Sequence, residues 1–137
     1  MRNVFIDTSY FIALVNRQDA YHQQAKKWAH TLVKEVIRCH TSIPIVFEIA
    51  DGFSRLGRRE IGISLLENMS NSDNYILHPF SEATYQNAKQ LYLARHDKEW
   101  GLTDCYSFEL MKELKITQVL TADTHFEQFG YEILLKS

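Results

Sequence analysis

Short apolar segments alternate with amphipathic helical segments along the chain, and this alternation limits the fold more than any other feature of the sequence. The first apolar segment, Asn3–Ile6, stops abruptly at Asp7, Thr8 and Ser9, which is typical of a buried strand that ends at a polar turn. Four further segments have the same character, and we predict strands at residues 36–39, 75–77, 119–120 and 131–135. Strands that alternate with helices in this way favour a mostly parallel sheet covered by helices on both faces.

The segments between these strands have apolar residues at helical spacing. They predict helices over residues 10–14, 25–33 and 59–69, and helices that begin near Ser81 and Thr103. Another helix is predicted to begin at Ser42, because Pro44 suits a first helical turn and the Ser42 hydroxyl can accept hydrogen bonds from the first free amides. We expect this helix to run to about Leu56, with Gly57 at its end, and we expect a turn at residues 70–74.

The size and charge of the chain restrict its class. A chain of 137 residues is the size of one domain, so we expect residues 1–137 to form a single unit. Fifteen Lys and Arg residues against seventeen Asp and Glu residues give a formal charge of -2. This balance argues mildly against a protein that holds DNA or RNA by bulk charge alone.

The two cysteines, Cys39 and Cys105, and the six histidines show no zinc-finger spacing, which excludes zinc-finger and disulfide-scaffold classes. Free thiols fit a cytoplasmic location. We expect neither a signal peptide nor a membrane span, because no apolar window has the required length.

Three acidic residues lie where a ligand site is expected. Asp7 follows the first strand directly, Asp123 follows another strand by two residues, and Asp104 lies at the start of a predicted helix. Ligands of open parallel sheets bind outside the carboxyl ends of the strands, so these residues could meet at one edge. Each also has a purely structural explanation: a helix N-cap for Asp7 and Asp104, and an Asx-turn for Asp123.

Glu48 is a fourth candidate because it lies in the apolar segment 45–50. A carboxylate withdrawn from water must be paired, protonated or metal-bound. The alternative is that the helix turns Glu48 to solvent, and Asp51 could be a second participant or simply solvated. Four convergent carboxylates suit Mg²⁺ or Mn²⁺, which can polarise a phosphodiester and activate a water molecule.

These residues carry a resemblance to a known family. The sequence resembles PIN-domain ribonucleases, specifically the stand-alone toxin-like type represented by the VapC proteins of toxin–antitoxin systems. The resemblance spans essentially the whole chain in order, through the segments 5–14, 41–42 with Glu48, 102–108 and 120–126.

The resemblance implies a three-layer α/β/α sandwich around a mostly parallel sheet. It implies an endoribonuclease whose acidic quartet, Asp7, Glu48, Asp104 and Asp123, holds Mg²⁺ or Mn²⁺ and leaves products with 5′-phosphate and 3′-hydroxyl ends. Ser9 matches the family's small hydroxyl residue, and Thr103 and Thr121 are expected to orient the carboxylates. Gly101 departs from the Ser that family members often have, without affecting the acids.

The resemblance also implies an RNA substrate, a cognate antitoxin protein and a homodimer. We hypothesise that the RNA backbone is contacted by Arg55, Arg58 and Arg59. The alternative is that these arginines are simply solvated at the end of a helix. Arg95 and Lys98 are weaker candidates of the same kind.

Two other functions match parts of the sequence. An aspartyl-phosphate phosphatase also begins with a strand that ends in Asp, but it needs a second Asp where this chain has Ser9. A non-catalytic PIN-like module that binds RNA or acts as a scaffold could tolerate loss of acids, and the intact quartet disfavours it. No catalytic role is assigned to His125 on the sequence alone.

Overall fold

The computed structural model describes residues 2–55 and 57–136. Its five strands are β1 (Asn3–Ile6), β2 (Arg38–Ser42), β3 (Tyr75–His78), β4 (Gln118–Leu120) and β5 (Glu132–Ile133). They form one sheet in the order β3-β2-β1-β4-β5, and every neighbouring pair is parallel. The predicted α/β class with a parallel central sheet is therefore confirmed.

The helices of the described residues are α1 (Thr8–Val15), α2 (His22–Lys34), α3 (Ile43–Gly52), α4 (Arg59–Asn71), α5 (Glu82–Ala94), α6 (Leu102–Leu114) and α7 (Thr124–Phe129). Strands β2 and β3 follow one another on one side of β1, and β4 and β5 follow one another on the other side of β1. The connections from β1 to β3 therefore run across the sheet in one direction, and those from β3 to β5 run in the opposite direction. Because parallel crossovers are right-handed, this reversal places α1 to α4 on one face of the sheet and α5 to α7 on the other. This arrangement is the α/β/α sandwich.

The core lies between the sheet and its helices. The strand residues Val4, Phe5 and Ile6 are fully buried, as their apolar run predicts for a central strand covered on both faces. On the second face, the fully buried Phe108 of α6 stacks on Phe129 of α7, with ring centroids 4.7 Å apart. This aromatic contact fixes α7 against α6, and with it the loop that carries Asp123.

Several boundaries differ from the sequence predictions. Strand β2 begins at Arg38 rather than Val36, because Val36 has a left-handed backbone (φ 52°) that no strand can contain. Helix α4 continues to Asn71, into the predicted turn, and β5 covers only Glu132–Ile133.

The helix predicted at Ser42 exists, but its cap differs. Ser42 is the N-cap of α3 and Pro44 lies in the first turn, yet the Ser42 hydroxyl is buried and has no hydrogen-bond partner among the described residues. The helix ends at Gly52, and the predicted end near Leu56 lies outside the described residues. At α5 the prediction is confirmed, since Ser81 caps the helix by accepting a hydrogen bond from the Thr84 amide.

Across residues 2–55 and 57–136, no helix combines the length and the apolar character that a membrane crossing requires.

Candidate active site

Asp7 lies at the carboxyl end of β1, at the point where the chain enters α1. Its amide donates a hydrogen bond to the Leu120 carbonyl (3.2 Å), which ties the ends of β1 and β4 together. Its side chain is only 6% exposed and accepts hydrogen bonds from the Thr121 hydroxyl (2.8 Å) and, at 3.4 Å, from the Ser9 hydroxyl. Asp7 is the N-cap residue of α1, but its side chain makes no capping bond, so its carboxylate is free to face the sheet edge.

The environment of Asp7 opposes ionisation. The pKa of Asp7 is raised from 3.8 to about 7. Burial is the largest cause, the hydrogen bond from Thr121 partly opposes it by lowering the pKa, and the negative charges of Glu48 and Asp104 raise the pKa further. These two acids therefore lie close enough to Asp7 to act on its charge. In the metal-free protein, the Asp7 carboxyl titrates near neutral pH.

Thr121 connects the two strand ends. Its oxygen accepts a hydrogen bond from the Asp123 amide (3.0 Å) and lies 2.8 Å from the Ser9 hydroxyl. Because the single Thr121 proton is directed at Asp7, Ser9 is the donor in the contact between the two hydroxyls, and its one proton is shared between Thr121 and the more distant Asp7 carboxylate. Ser9 also accepts from the Ala122 amide at 3.3 Å, so the loop after β4 is held against the start of α1.

Glu48 is more open than its apolar sequence neighbours suggest. The turn of α3 exposes it together with Phe47, as the alternative considered for this residue holds. Its carboxylate is nevertheless engaged, because the hydroxyl of the buried Thr8 donates a hydrogen bond to it. Thr8 directly follows Asp7 in the chain, and it thereby links α1 to the acid of α3.

Asp104, Asp123 and His125 form a second group at the same site. Their ligand atoms all lie within 4.8 Å of one another, close enough to share a metal ion. Asp104 accepts hydrogen bonds from the Gly101 amide and from His125 Nδ1, both at 3.0 Å. Asp123 accepts from the His125 amide at 2.9 Å and caps α7.

These contacts correct one structural explanation offered above and bear out another. Asp104 is the third residue of α6 rather than its N-cap, which is Gly101. Asp123 makes the expected Asx-turn bond, from the amide two residues on, and this turn opens α7. His125 is the member of this group that the sequence analysis missed. The feature that could have indicated it is its position two residues after Asp123, because a residue at that position of a capped helix start has its amide and its ring close to the capping acid.

A surface cleft of about 450 Å³ opens beside Glu48. It is lined by residues of α3, of the segment before α5 and of α6, namely Ile43, Pro44, Phe47, Glu48, Asp51, Phe80 and Thr103. Among the hydrogen bonds found within residues 2–55 and 57–136, none joins the Thr103 hydroxyl to an acid of the site, so Thr103 contributes a wall of the cleft here.

The family follows from comparison with known proteins. The model of the PIN domain family matches residues 4–131. This chain belongs to the PIN domain family. None of the curated protein sequences matches it significantly.

Solved structures with the same fold support the architecture of this PIN domain. VapC20 from Mycobacterium tuberculosis, described as a sarcin–ricin loop cleaving toxin, is 22% identical, with a TM-score of 0.82 over 93% of this chain and 95% of that chain. FitAcB from Neisseria gonorrhoeae is 22% identical, with a TM-score of 0.64 over 96% of each chain. VapBC2 from Rickettsia felis, solved with a DNA fragment from its promoter, is 14% identical, with a TM-score of 0.70 over 96% of each chain. At these identities the likeness shows the shared fold alone.

Of the arginines proposed for RNA, Arg59 lies nearest to this PIN domain's cleft, and Arg58 lines a separate groove. Arg55, Arg58 and Arg59 are all exposed, and Arg59 donates a hydrogen bond to the Ser54 carbonyl at 3.2 Å. A neighbouring groove of about 280 Å³ is lined by Arg59 and by Asp51, which also lines the cleft beside Glu48. The groove and the cleft are therefore adjacent.

Arg95 and Lys98 lie in a different environment. Arg95 forms an ion pair with Asp97 through two hydrogen bonds of 2.9 Å. The charged groups of Arg95 and Lys98 both lie over the Trp100 ring. The paired Asp97 offsets the charge of Arg95, which makes this region the weaker candidate for a phosphate chain.

Proposed function

We propose that this PIN domain protein is a metal-dependent endoribonuclease that hydrolyses RNA phosphodiester bonds. The observation that carries the proposal is the buried Asp7 carboxyl, whose pKa is raised to about 7 by burial, with the charges of Glu48 and Asp104 adding to the effect. Negative charges placed around a buried carboxyl are costly without a counter-charge, and a divalent cation supplies one. Asp7, Glu48, Asp104 and Asp123 are the proposed ligands.

The donor set fits Mg²⁺ or Mn²⁺. Hard cations of this kind prefer carboxylate oxygens, and the chain offers them from the end of β1, from α3, from α6 and from the loop after β4. His125, which lies with Asp104 and Asp123, could add a ring nitrogen ligand only by giving up the hydrogen bond from Nδ1 to Asp104, and such a ligand suits Mn²⁺ better than Mg²⁺. When bound, such an ion polarises the phosphate and lowers the pKa of an attacking water molecule.

The hydroxyl groups of the chain hold the acids in position. Thr121 and Ser9 direct protons at Asp7, and Thr8 directs its proton at Glu48. The Gly101 amide fixes one oxygen of Asp104, and the His125 amide fixes one oxygen of Asp123. Carboxylates restrained in this way lose little conformational freedom on binding, which favours a defined site.

The charge of the chain is compatible with RNA once the four acids are assigned to a cation. Without them, the balance of 15 − 17 = -2 becomes 15 − 13 = +2. Arg55, Arg58 and Arg59 are the proposed contacts to the RNA backbone, since the groove beside Arg59 adjoins the cleft that contains Glu48.

We further propose that the protein acts in the cytoplasm as the toxin of a toxin–antitoxin pair, as a homodimer inhibited by a cognate antitoxin protein. Similarity in fold to VapC20, described as a toxin, supports this role. Induced expression should arrest growth, and co-expression of the cognate antitoxin, sought among the genes next to this one, should restore it. Light scattering should give about twice the mass of the 16.1 kDa chain, and a monomer would contradict the homodimer.

The nuclease proposal is tested by metal dependence and by the chemistry of the products. Purified protein should cleave end-labelled single-stranded RNA with Mg²⁺ or Mn²⁺ and should stop on addition of EDTA. Attack by water on phosphorus with cleavage of the bond to the 3′ oxygen leaves a 5′-phosphate and a 3′-hydroxyl. Cleavage that persists in EDTA, or products with 2′,3′-cyclic phosphate ends, would contradict the proposal, and RNA binding without cleavage would favour the non-catalytic alternative.

A further inference from the structure

The cleft beside Glu48 has an aromatic wall. Phe47 of α3 is 66% exposed, and Phe80, which follows β3, is 53% exposed. Both line the same cleft as Glu48 and Thr103. Large exposed aromatic side chains gain little from folding, so their presence beside a candidate site points to contact with a ligand.

Phe80 is held rigidly. Its ring stacks on that of the buried Tyr106, with centroids 5.5 Å apart and planes 11° apart. The Tyr106 hydroxyl is fixed in turn, because it accepts a hydrogen bond from the Ser81 amide at 3.0 Å. Tyr85 packs at 6.1 Å from Phe80 at a tilt of 41°. With its backing fixed on one side and more than half of its surface open, the Phe80 ring loses little freedom when a second flat group stacks on it.

We propose that Phe80, assisted by Phe47, is a stacking platform for one unpaired nucleobase of the RNA substrate. This inference rests on the proposed function and specifies its substrate class. A base in a duplex is already stacked between its neighbours, so a platform of this kind selects single-stranded or looped RNA. Every base has a π-face, so the platform positions the chain without reading its sequence.

The position of the platform favours a nucleobase over a protein surface. The cleft that holds Phe80 also contains the Glu48 carboxylate, so whatever stacks on Phe80 lies next to the proposed metal site. A second copy of the chain seated there would cover Glu48. A single base leaves room for its own phosphate to reach the acids.

The test measures coupling between the ring and one base. Binding of a fluorescein-labelled U10 RNA would be compared with a set of U10 RNAs that each lack one base, in Mn²⁺ and in the Asp7→Asn background to prevent cleavage. Phe80→Leu removes the aromatic face, Phe80→Tyr retains it, and Tyr92→Leu is a matched control at an aromatic residue that is 50% exposed on a different cleft.

The platform predicts that Phe80→Leu weakens binding of U10 about 5- to 150-fold. Phe80→Tyr and Tyr92→Leu should bind as the parent does. In the Asp7→Asn protein, removal of the base at one position of U10 should weaken binding by the same factor as Phe80→Leu does. In the Phe80→Leu variant, removal of that base should weaken binding no further. Equal affinity of Phe80→Leu and parent, or losses that add at every position, would overturn the inference.

Two results distinguish failure of the Phe80 platform from failure of the proposed nuclease function. If the protein with Asp7 intact cleaves RNA with Mn²⁺ while Phe80→Leu binds normally, the platform is wrong and the nuclease assignment stands. If the protein with Asp7 intact neither binds nor cleaves RNA, both are wrong. A change in oligomeric state on Phe80→Leu, with RNA affinity unchanged, would assign this face to contact between copies and overturn the platform.

Discussion

The Thr121 hydroxyl donates a hydrogen bond of 2.8 Å to the buried Asp7 carboxylate and joins the carboxyl ends of β4 and β1. This contact spans 114 residues of sequence, and the same oxygen accepts from the Asp123 amide. One side chain therefore restrains two of the four proposed ligands.

Thr121→Val keeps the shape of the side chain and removes that donor. Because the bond favours the ionised form of Asp7, its loss raises the pKa of Asp7 further and frees the carboxylate to rotate. We expect the apparent affinity for Mn²⁺, taken from the metal dependence of cleavage, to fall about 10- to 100-fold. Thr121→Ser retains the hydroxyl and should remain close to the parent; equal Mn²⁺ dependence of the Val variant and the parent would contradict the role of Thr121.

Thr8 has the corresponding role for Glu48. Thr8→Val removes the hydroxyl that orients this exposed carboxylate, while α1 keeps its backbone bonds. We expect cleavage at saturating RNA to fall about 10- to 100-fold, with unchanged thermal unfolding. Thr8→Ser should restore most of the rate. A Thr8→Ser variant as slow as Thr8→Val would show that packing of the methyl group, and not the hydrogen bond, matters.

The raised pKa of Asp7 predicts a pH-dependent cost of folding in metal-free protein. The folded state holds the proton up to about pH 7, whereas the unfolded state releases it near 3.8, so the stability contributed by Asp7 falls as pH rises between these values. Over this whole pH range, the contribution of Asp7 to the free energy of unfolding falls by about 4 kcal/mol. Denaturant unfolding in EDTA should show Asp7→Asn gaining stability over the parent from pH 4 to pH 8. A stability difference that does not change with pH would contradict the raised pKa.

Phe108 supports the site from the core. Its fully buried ring contacts Phe126 at 5.0 Å and Phe129 at 4.7 Å, both on the helix that Asp123 caps. Phe108→Ala should lower the free energy of unfolding by about 3 to 5 kcal/mol. Leu91→Ala, at a half-buried position of α5, provides a comparison and should cost less. Equal losses in the two variants would show that the aromatic cluster adds nothing beyond ordinary packing.

The sequence was sufficient to predict the positions of Asp7 and Asp123, because in each case an apolar segment stops at a polar turn and parallel strands present such turns at one edge. The strand register and the pairing of Thr121 with Asp7 were beyond it, since both depend on which strands become neighbours. His125 was missed because α7 has only six residues, too few to show a helical period.

Two local errors have physical causes. The β-branched Val36 indicated a strand, but its left-handed backbone turns the chain before β2 begins. The apolar neighbours of Glu48 suggested burial, but the surface of α3 that carries Glu48 and Phe47 faces an open cleft. Apolar residues at that cleft have no pattern that distinguishes them from core residues, which is why the aromatic wall was not predicted.

The central claim is that the acids gathered around Asp7 hold the cation that cleaves RNA, and cleavage by matched variants tests it most directly. Parent, Asp7→Asn and Glu67→Gln, an exposed acid on α4 that serves as the control, would be purified side by side and assayed on single-stranded RNA with millimolar Mn²⁺. The account predicts that Asp7→Asn retains its fold by circular dichroism and loses cleavage to background, whereas Glu67→Gln cleaves as the parent does. Undiminished cleavage by Asp7→Asn, with contaminating nuclease excluded by the same purification, would contradict it.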